Sequence, residues 1–246
     1  MTAIKKIRKK IASIQVKKYC AKGYRKISHR KGYGVHSPFV YSLITKTIEE
    51  RAAYYKYADI KEAHSKIKNV LGNKTPVKRQ SLKASKLLFR LAVRFMPKTI
   101  LECGTSYGVS TIALRSAAPE AALVIIEPDS HIMDVAVKIL HGTDIRGGSY
   151  EEGLKRYFSY CTHPDFIYIR NQVSEIDYQD IFSSIRDHIS ENAVIIVEGI
   201  RINKNIYRLF CEFTAQERIK VVMDLYDIGI LIASPKLNKE RYKESF

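Results

Sequence analysis

Short apolar runs alternate with segments of helical periodicity from residue 99 to residue 234. Each run has the length of a buried strand, whereas the segments between the runs repeat apolar residues at steps of three and four. This alternation is typical of a parallel sheet whose strands are joined by helices. We predict strands at residues 99–103, 122–127, near 145, 165–169, 193–197, 219–225 and 229–234. We predict helices at residues 110–117, 132–139, 150–160, 177–189 and 204–216.

The last two predicted strands differ from the others because no helical segment separates them. A turn around Tyr226 and Gly229 joins them, so we expect an antiparallel hairpin at this point. The pattern therefore predicts an α/β fold with a Rossmann-like, seven-stranded, mostly parallel sheet and helices on both faces. Helical patterns ahead of residue 99 predict an N-terminal helical extension.

Residues typical of helix N-termini indicate where the helices of this extension begin. Ser37 is a good N-cap and Pro38 a good first helical residue, and a helix is predicted from there through Ile48. Ser81 is predicted to cap a later helix that ends before Pro97. The polar, lysine-rich residues 54–80 predict a helix followed by a surface loop.

Positive charge is concentrated at the N-terminus. The chain of 246 residues has 42 Lys and Arg against 25 Asp and Glu, which gives a formal net charge of +17. Residues 1–31 hold twelve of these cations and no acid, so the rest of the chain is only slightly basic. We therefore divide the chain into a basic arm at residues 1–31, a helical cap region at residues 32–80 and a main domain at residues 81–246.

The basic arm also carries an apolar stripe at helical spacing, formed by Ile4, Ile7, Ile11 and Ile14. Three interpretations of this amphipathic helix remain open. It lies on an anionic membrane surface, or it contacts RNA phosphates with its tyrosines available for stacking. In the third interpretation, the isoleucines dock on the rest of the chain while the charges stay solvated.

The spacing of the cysteines indicates the cellular compartment of the protein. Cys20, Cys103, Cys161 and Cys211 are scattered without a C-x-x-C pair, which fits neither a disulfide framework nor a zinc site. The chain has no apolar run of membrane-spanning length and no secretory signal pattern. We therefore expect a cytoplasmic protein with reduced thiols, peripheral to the membrane if the arm binds lipid.

The most informative motif begins where the first strand ends. Glu102 precedes a turn that contains Gly104 and Gly108. Such a turn at the carboxyl end of a parallel strand forms a nucleotide-sized pocket. A dinucleotide fingerprint has glycine where this chain has Ser106, and a carboxylate beside the turn repels phosphate but attracts an amine. S-adenosylmethionine suits this chemistry because it carries an amino group and a sulfonium but no phosphate.

The pattern Glu102-x-Gly104-x-x-x-Gly108 resembles the first motif of class I S-adenosylmethionine-dependent methyltransferases, and the resemblance extends over about residues 81–235. Glu127 ends the second strand 23 positions after Gly104, where that family has an acid for the ribose hydroxyls. The resemblance implies S-adenosyl-L-methionine as the cofactor. The cofactor-binding residues that it implies are Glu102, Gly104, Thr105, Ser106, Gly108, Ser110, Glu127 and Ser149.

The chain departs from the metal-dependent O-methyltransferases of this class, which carry aspartates after the fourth and fifth strands. Arg170 and Glu198 stand at these two points. A guanidinium has no free lone pair for a cation and repels it, so we expect no metal. Arg170 either holds an anionic group of the methyl acceptor, or pairs with Glu198 in a site that has lost its chemistry, or forms an ordinary salt bridge.

No catalytic residue can be assigned from the sequence. His36 is either a loop residue that fixes the entry to its helix or a residue over the cofactor pocket. The weaker candidates for acceptor contacts are His36, Arg170, Asn171 and Glu198, followed by Arg201 and Asn203.

The function predicted from these features is metal-independent methyl transfer to a small, anionic acceptor. Two alternatives remain open: an RNA methyltransferase that uses the basic arm for substrate affinity, and a degenerate, non-catalytic cofactor-binding protein.

Overall fold

The structure is a computed structural model that describes residues 16, 19–25, 27, 32–72, 80–140, 144–161, 163–170 and 174–246. The predicted isoleucine stripe and the candidate Asn171 lie outside these residues.

A single sheet forms the centre of the described chain. It has eight strands in the order β3-β2-β1-β4-β5-β7-β6-β8 within the described residues. The first five strands pair in parallel, β7 is antiparallel to both β5 and β6, and β8 is parallel to β6. The strands are β1 Thr99–Cys103, β2 Ala122–Ile126, β3 Asp144–Arg146, β4 Phe166–Ile169, β5 Val194–Glu198, β6 Ile219–Asp224, β7 Ile228–Ala233 and β8 Glu240–Lys243.

Helices cover both faces of this sheet, and the central strands β1, β4 and β5 are therefore buried at nearly every position. Phe166 and Tyr168 of β4 pack on one face, whereas Ile167 and Ile169 pack on the other, as the two-residue period of a strand requires. The helices are α1 Pro38–Leu43, α2 Tyr57–Leu71, α3 Leu82–Phe95, α4 Val109–Ala117, α5 Ser130–Ile139, α6 Tyr150–Phe158, α7 Glu175–Arg186 and α8 Lys204–Thr214.

The predicted fold class is confirmed, but the predicted strand count of seven is wrong by one. The additional strand β8 has the sequence Glu-Arg-Tyr-Lys, and its residues alternate between half-buried and exposed. Tyr242 is its contribution to the core. Because three of its four residues are charged, β8 produces no apolar run, and the hydrophobic pattern could not reveal it.

The helical extension belongs to the same core as the sheet. Ser37 caps α1 by accepting a hydrogen bond from the Val40 amide, and Ser81 caps α3 in the same way from the Ala84 amide, as predicted. The helix of α1 continues in a π-helical segment, Ile44–Ile48. The buried Arg90 of α3 donates hydrogen bonds to the carbonyl oxygens of this segment, at 2.5 Å to Thr47 and 3.0 Å to Ile48.

Part of the basic arm docks on the sheet. Residues 19–25 are helical, and Arg25 of this segment is buried against the end of β6. The Arg25 guanidinium donates to the Asp224 carboxylate at 2.9 and 3.3 Å and to the Asp224 carbonyl oxygen at 2.8 Å. Lys22 lies 2.5 Å from Asp227 in the turn between β6 and β7. This segment therefore docks through two of its cations. Docking of the isoleucines, one of the three interpretations of the arm, stays a prediction.

A second guanidinium completes the contact. Arg201 also binds the Asp224 carboxylate, and both guanidiniums stack on the ring of Tyr226, at 5.0 Å for Arg201 and 5.2 Å for Arg25. Burial alone would raise the pKa of Asp224, but the hydrogen bonds and charges of the two arginines outweigh it and lower that pKa to about 2. Asp224 is therefore ionised and holds the arm segment to the sheet.

None of the helices in the described part of the chain is long and apolar enough to cross a membrane.

We predict that Arg25→Ala lowers the free energy of unfolding by about 2 kcal/mol, because it removes one of two guanidiniums from a buried carboxylate. The measurement is urea unfolding followed by circular dichroism. Arg208→Ala is the matched control, since its pair with Glu212 is exposed on α8, and its cost should stay below about 0.5 kcal/mol. Equal effects of the two substitutions would show that the arm segment does not dock in this way.

Candidate functional site

The loop after β1 bends sharply at the carboxyl edge of the sheet. Gly104 and Gly108 have φ angles of 84° and 94°, which a residue with a side chain adopts only at a cost. Ser106 and Tyr107 also have positive φ, at 46° and 61°, in the short 3₁₀ turn Ser106–Gly108 that leads into α4. Non-glycine residues in this conformation store strain, and such strain clusters at ligand sites.

Glu102 supports this loop from inside the protein. Its side chain is fully buried and accepts hydrogen bonds from the hydroxyls of Ser110 and Thr111 at the start of α4, the latter at 2.7 Å. Burial raises the pKa of Glu102 to about 8, against the opposing effect of the two hydroxyls. Burial therefore favours the neutral form of Glu102 over what an exposed glutamate would show.

Glu127 follows β2 and reaches across to the loop. One of its oxygens accepts a hydrogen bond from the Thr105 amide at 2.9 Å, and the other accepts from the Asp129 amide at 3.1 Å. The Arg170 guanidinium lies 3.4 Å from the first of these oxygens. Burial raises the pKa of Glu127, and the two amides and Arg170 only partly offset that rise.

Arg170 covers Gly104. A Cβ atom at position 104 would lie 3.0 Å from Cβ of Arg170 and 3.0 Å from the hydroxyl oxygen of Tyr150. The side chains of Arg170 and Glu127 are each only 3% exposed. The carboxyl edge of β1 is therefore packed with the side chains of Arg170 and Tyr150. Arg170 thus forms a salt bridge, which was one of the three alternatives left open from the sequence, but its partner Glu127 was not named there.

Gln80 connects the loop to the end of β5. Its backbone N–H donates a hydrogen bond to the hydroxyl of Ser106 at 2.8 Å. Its side-chain amide nitrogen, Nε2, donates at 2.7 Å both to the Tyr168 hydroxyl and to the Glu198 carboxylate. Gln80 is buried. The sequence offered no signal for it, since a single glutamine ahead of a helix cap has no characteristic spacing.

A cavity of about 260 Å³ lies beside this connection, at the carboxyl edge of β5 and the start of β7. Its wall carries the cationic side chains of Lys22 and Arg201 and the carboxylates of Glu198 and Asp227. Lys22 comes from the docked arm segment, so the arm contributes directly to this cavity.

The structure brings most of the predicted cofactor residues together. Seven of them lie around the β1 loop: Glu102, Gly104, Thr105, Ser106, Gly108, Ser110 and Glu127. Arg170 joins this group. The hydroxyl of Thr105 lies 2.6 Å from that of Thr111. The hydroxyls of Ser106 and Ser110 contact Gln80 and Glu102, so all three predicted hydroxyl groups already have partners inside the protein.

Three other predicted residues lie at or just before the starts of helices. Ser149 is exposed at the start of α6, where it caps the helix by accepting from the Glu152 amide at 3.2 Å. Asn203 caps α8 in the same way. His36 is exposed on the loop before α1. The predicted contacts of Ser149 and His36 with a ligand therefore stay predictions.

Within the described residues, no group of three or more His, Cys, Asp or Glu side chains is arranged to hold a metal ion.

No protein-family model matches this chain, and no curated protein matches it in sequence. Solved structures do match its fold. An O-methyltransferase from Bacillus cereus in complex with SAH is 17% identical with a TM-score of 0.57, and the match covers 74% of this chain and 92% of that one. The O-methyltransferase TomG from Streptomyces achromogenes, in complex with SAM, is 18% identical with a TM-score of 0.57, over 74% and 91% of the two chains.

An SAH-bound methyltransferase from Podospora anserina matches over 81% of this chain and 97% of its own, with 14% identity and a TM-score of 0.59. Identities this low show the fold alone. The chain therefore has the fold of the class I S-adenosylmethionine-dependent methyltransferases, and the resemblance predicted from its sequence is confirmed at the level of the fold.

We predict that Glu102→Gln flattens the dependence of stability on pH. Burial raises the pKa of Glu102 in the folded protein to about 8, from the ordinary glutamate pKa of 4.5. The contribution of Glu102 to stability is thus complete below pH 4.5 and is lost as the pH rises towards 8, by at most about 1.4 kcal/mol per pH unit. Urea unfolding at pH 5.5, 7 and 8.5 measures it, with the exposed Glu151→Gln as control. Identical pH profiles for Glu102→Gln and the wild type would contradict the assignment.

Proposed function

We propose that this chain binds S-adenosyl-L-methionine at the β1 loop and transfers its methyl group to a small, anionic acceptor without a metal ion. The observation that carries the proposal is the approach of Glu127 to the loop around Gly104, where its carboxylate meets the Thr105 amide. This is the arrangement in which an acid at the end of a second strand accepts ribose hydroxyls in α/β folds. The fold likeness to structures in complex with SAM and SAH supports the same cofactor.

The residues fit the adenosine part of this cofactor in their chemistry. Glu127 offers carboxylate oxygens to a diol, and Gly104 has no side chain to keep a ligand from the backbone. The fit requires that the side chains of both Arg170 and Tyr150 move from their positions over Gly104. When bound, the cofactor would supply a methyl group on a positively charged sulfur, which needs alignment with an acceptor rather than further activation.

The cavity beside β5 is the best candidate for the acceptor site. Its volume of about 260 Å³ is small for a ligand pocket, which favours a small molecule over a macromolecular substrate. Three cationic side chains in its wall, Lys22, Lys83 and Arg201, outnumber the two carboxylates of Glu198 and Asp227, which favours an anionic group. The two carboxylates can accept a proton from the acceptor. We therefore favour a small acceptor over RNA. Binding of RNA or of a membrane by the basic arm stays a prediction.

A second candidate function is a cofactor-binding protein without turnover. The observation that favours it is the cover that Arg170 and Tyr150 form over Gly104. The two functions differ in one measurable property, since only the enzyme forms S-adenosylhomocysteine from S-adenosylmethionine.

We predict that the wild-type chain binds S-adenosylhomocysteine and that Glu127→Gln weakens this binding at least about tenfold, because a charged acceptor for the ribose hydroxyls is lost. Isothermal titration calorimetry is the measurement. Glu151→Gln is the control, since Glu151 is exposed on α6 and should leave the affinity unchanged. No heat of binding with the folded wild type would reject the proposed function.

We also predict that a chelator leaves methyl transfer unchanged. Arg170 follows β4 where the metal-dependent enzymes have an aspartate, and a guanidinium repels a divalent cation. The measurement is the rate of S-adenosylhomocysteine formation with a panel of small anionic acceptors, with and without EDTA. A rate that EDTA abolishes and Mg²⁺ restores would overturn the metal-independent proposal.

A further inference from the structure

The docked arm segment presents different residues to the sheet and to the surface of the protein. All the described residues from position 16 to position 27 are helical. Successive residues of an α-helix are turned by about 100°, so Lys22 and Arg25, three positions apart, lie on one side of the segment. These two side chains contact Asp227 and Asp224 and attach the segment to the sheet.

The other side of the segment is apolar and faces solvent. Val16, Tyr19, Gly23 and Ile27 follow one another at steps of three and four, which places them together on that side. The exposed fractions of Val16, Tyr19 and Ile27 are 59%, 73% and 84%. A Cβ atom at Gly23 would have no side chain within 4 Å apart from its chain neighbours. We call these four residues the outer face, and none of them carries a charge.

This arrangement is the reverse of the usual amphipathic helix on a protein surface. Such a helix buries its apolar residues and leaves its charges in water. In the arm segment, two cations point to the sheet and the apolar outer face stays exposed. A continuous row of exposed apolar side chains marks a surface that binds a partner or a membrane.

The charge of the arm indicates the kind of partner. Residues 1–31 hold twelve cations and no acid. A second copy of this chain would bring the same positive charge, and like charges repel each other. An anionic lipid bilayer matches both properties, because its headgroups attract cations and its acyl region accepts apolar side chains. Nucleic acid matches the charge alone, because it stacks on aromatic rings whereas Val16 and Ile27 are aliphatic.

We propose that the docked arm segment binds an anionic bilayer, with the outer face in the lipid interface and with Lys22 and Arg25 still attached to the sheet. Tyr19 suits the level of the headgroups, because its ring is apolar and its hydroxyl is polar. Lys22 also lies in the wall of the cavity beside β5, so the contact brings the bilayer close to the candidate acceptor site. The proposal is independent of the proposed function, since lipid binding requires no cofactor.

The first test is sedimentation of the full chain with phosphatidylglycerol vesicles and with phosphatidylcholine vesicles. The wild type should bind the anionic vesicles much more tightly. Tyr19→Ser/Ile27→Ser should weaken this binding at least about tenfold, because two apolar side chains no longer enter the lipid. Tyr55→Ser/Val137→Ser is the matched control, since these two residues are exposed outside the arm, and it should bind like the wild type. Both double variants keep the net charge of the chain, so charge cannot explain a difference between them.

The second test uses the absence of tryptophan from the sequence. Ile27→Trp places a single tryptophan on the outer face, and Tyr55→Trp places one outside the arm. With phosphatidylglycerol vesicles, the emission of Ile27→Trp should shift to shorter wavelength and brominated lipids should quench it, because the indole moves from water into the lipid interface. The emission of Tyr55→Trp should not change. Circular dichroism reports whether each variant is folded.

The expected result is weaker vesicle binding by Tyr19→Ser/Ile27→Ser together with the emission shift of Ile27→Trp. Absence of vesicle binding by the folded wild type overturns the proposal, and so does equal binding by the two double variants. An Ile27→Trp emission that is already at short wavelength without vesicles, and that lipid leaves unchanged, also overturns it. The isoleucines of the arm or a second copy would then cover the outer face. Binding of single-stranded RNA that Tyr19→Ser/Ile27→Ser weakens, without vesicle binding, assigns the outer face to nucleic acid instead.

Discussion

The buried pair of Glu127 and Arg170 is the interaction on which the account of this site depends. It joins the end of β2 to the end of β4 across β1, at the edge where an α/β sheet presents its ligand site. Burial makes each charge costly without the other. A ligand that takes one member must therefore compensate for what the other loses, and this requirement links cofactor binding to the position of one side chain.

Burial changes the electrostatics that the sequence indicates. The sequence predicts that the carboxylate of Glu102, beside the glycine turn, repels phosphate. In the structure, Glu102 is buried with a pKa of about 8, and Glu127 shares its site with a guanidinium. The negative charge beside the glycine turn is thus much smaller than the residue types imply.

The sequence predicted what short-range chemistry determines. Ser37 and Ser81 were identifiable as caps because capping depends on local spacing. The meeting of Glu127 with the glycine loop was predictable because adjacent parallel strands end at the same edge. Strand β8 was not predicted because three of its four residues are charged and form no apolar run. The contacts of Gln80 with Glu198 and of Arg25 with Asp224 join residues 118 and 199 positions apart, which no local pattern reveals.

A crystal structure of the chain with S-adenosylhomocysteine tests the central claim most directly. We expect that the ribose hydroxyls bind the Glu127 carboxylate, that the space over Gly104 holds the ligand, and that the Arg170 guanidinium has turned away from Glu127. A ligand bound elsewhere, with the Glu127–Arg170 pair intact and Gly104 still covered, would contradict it.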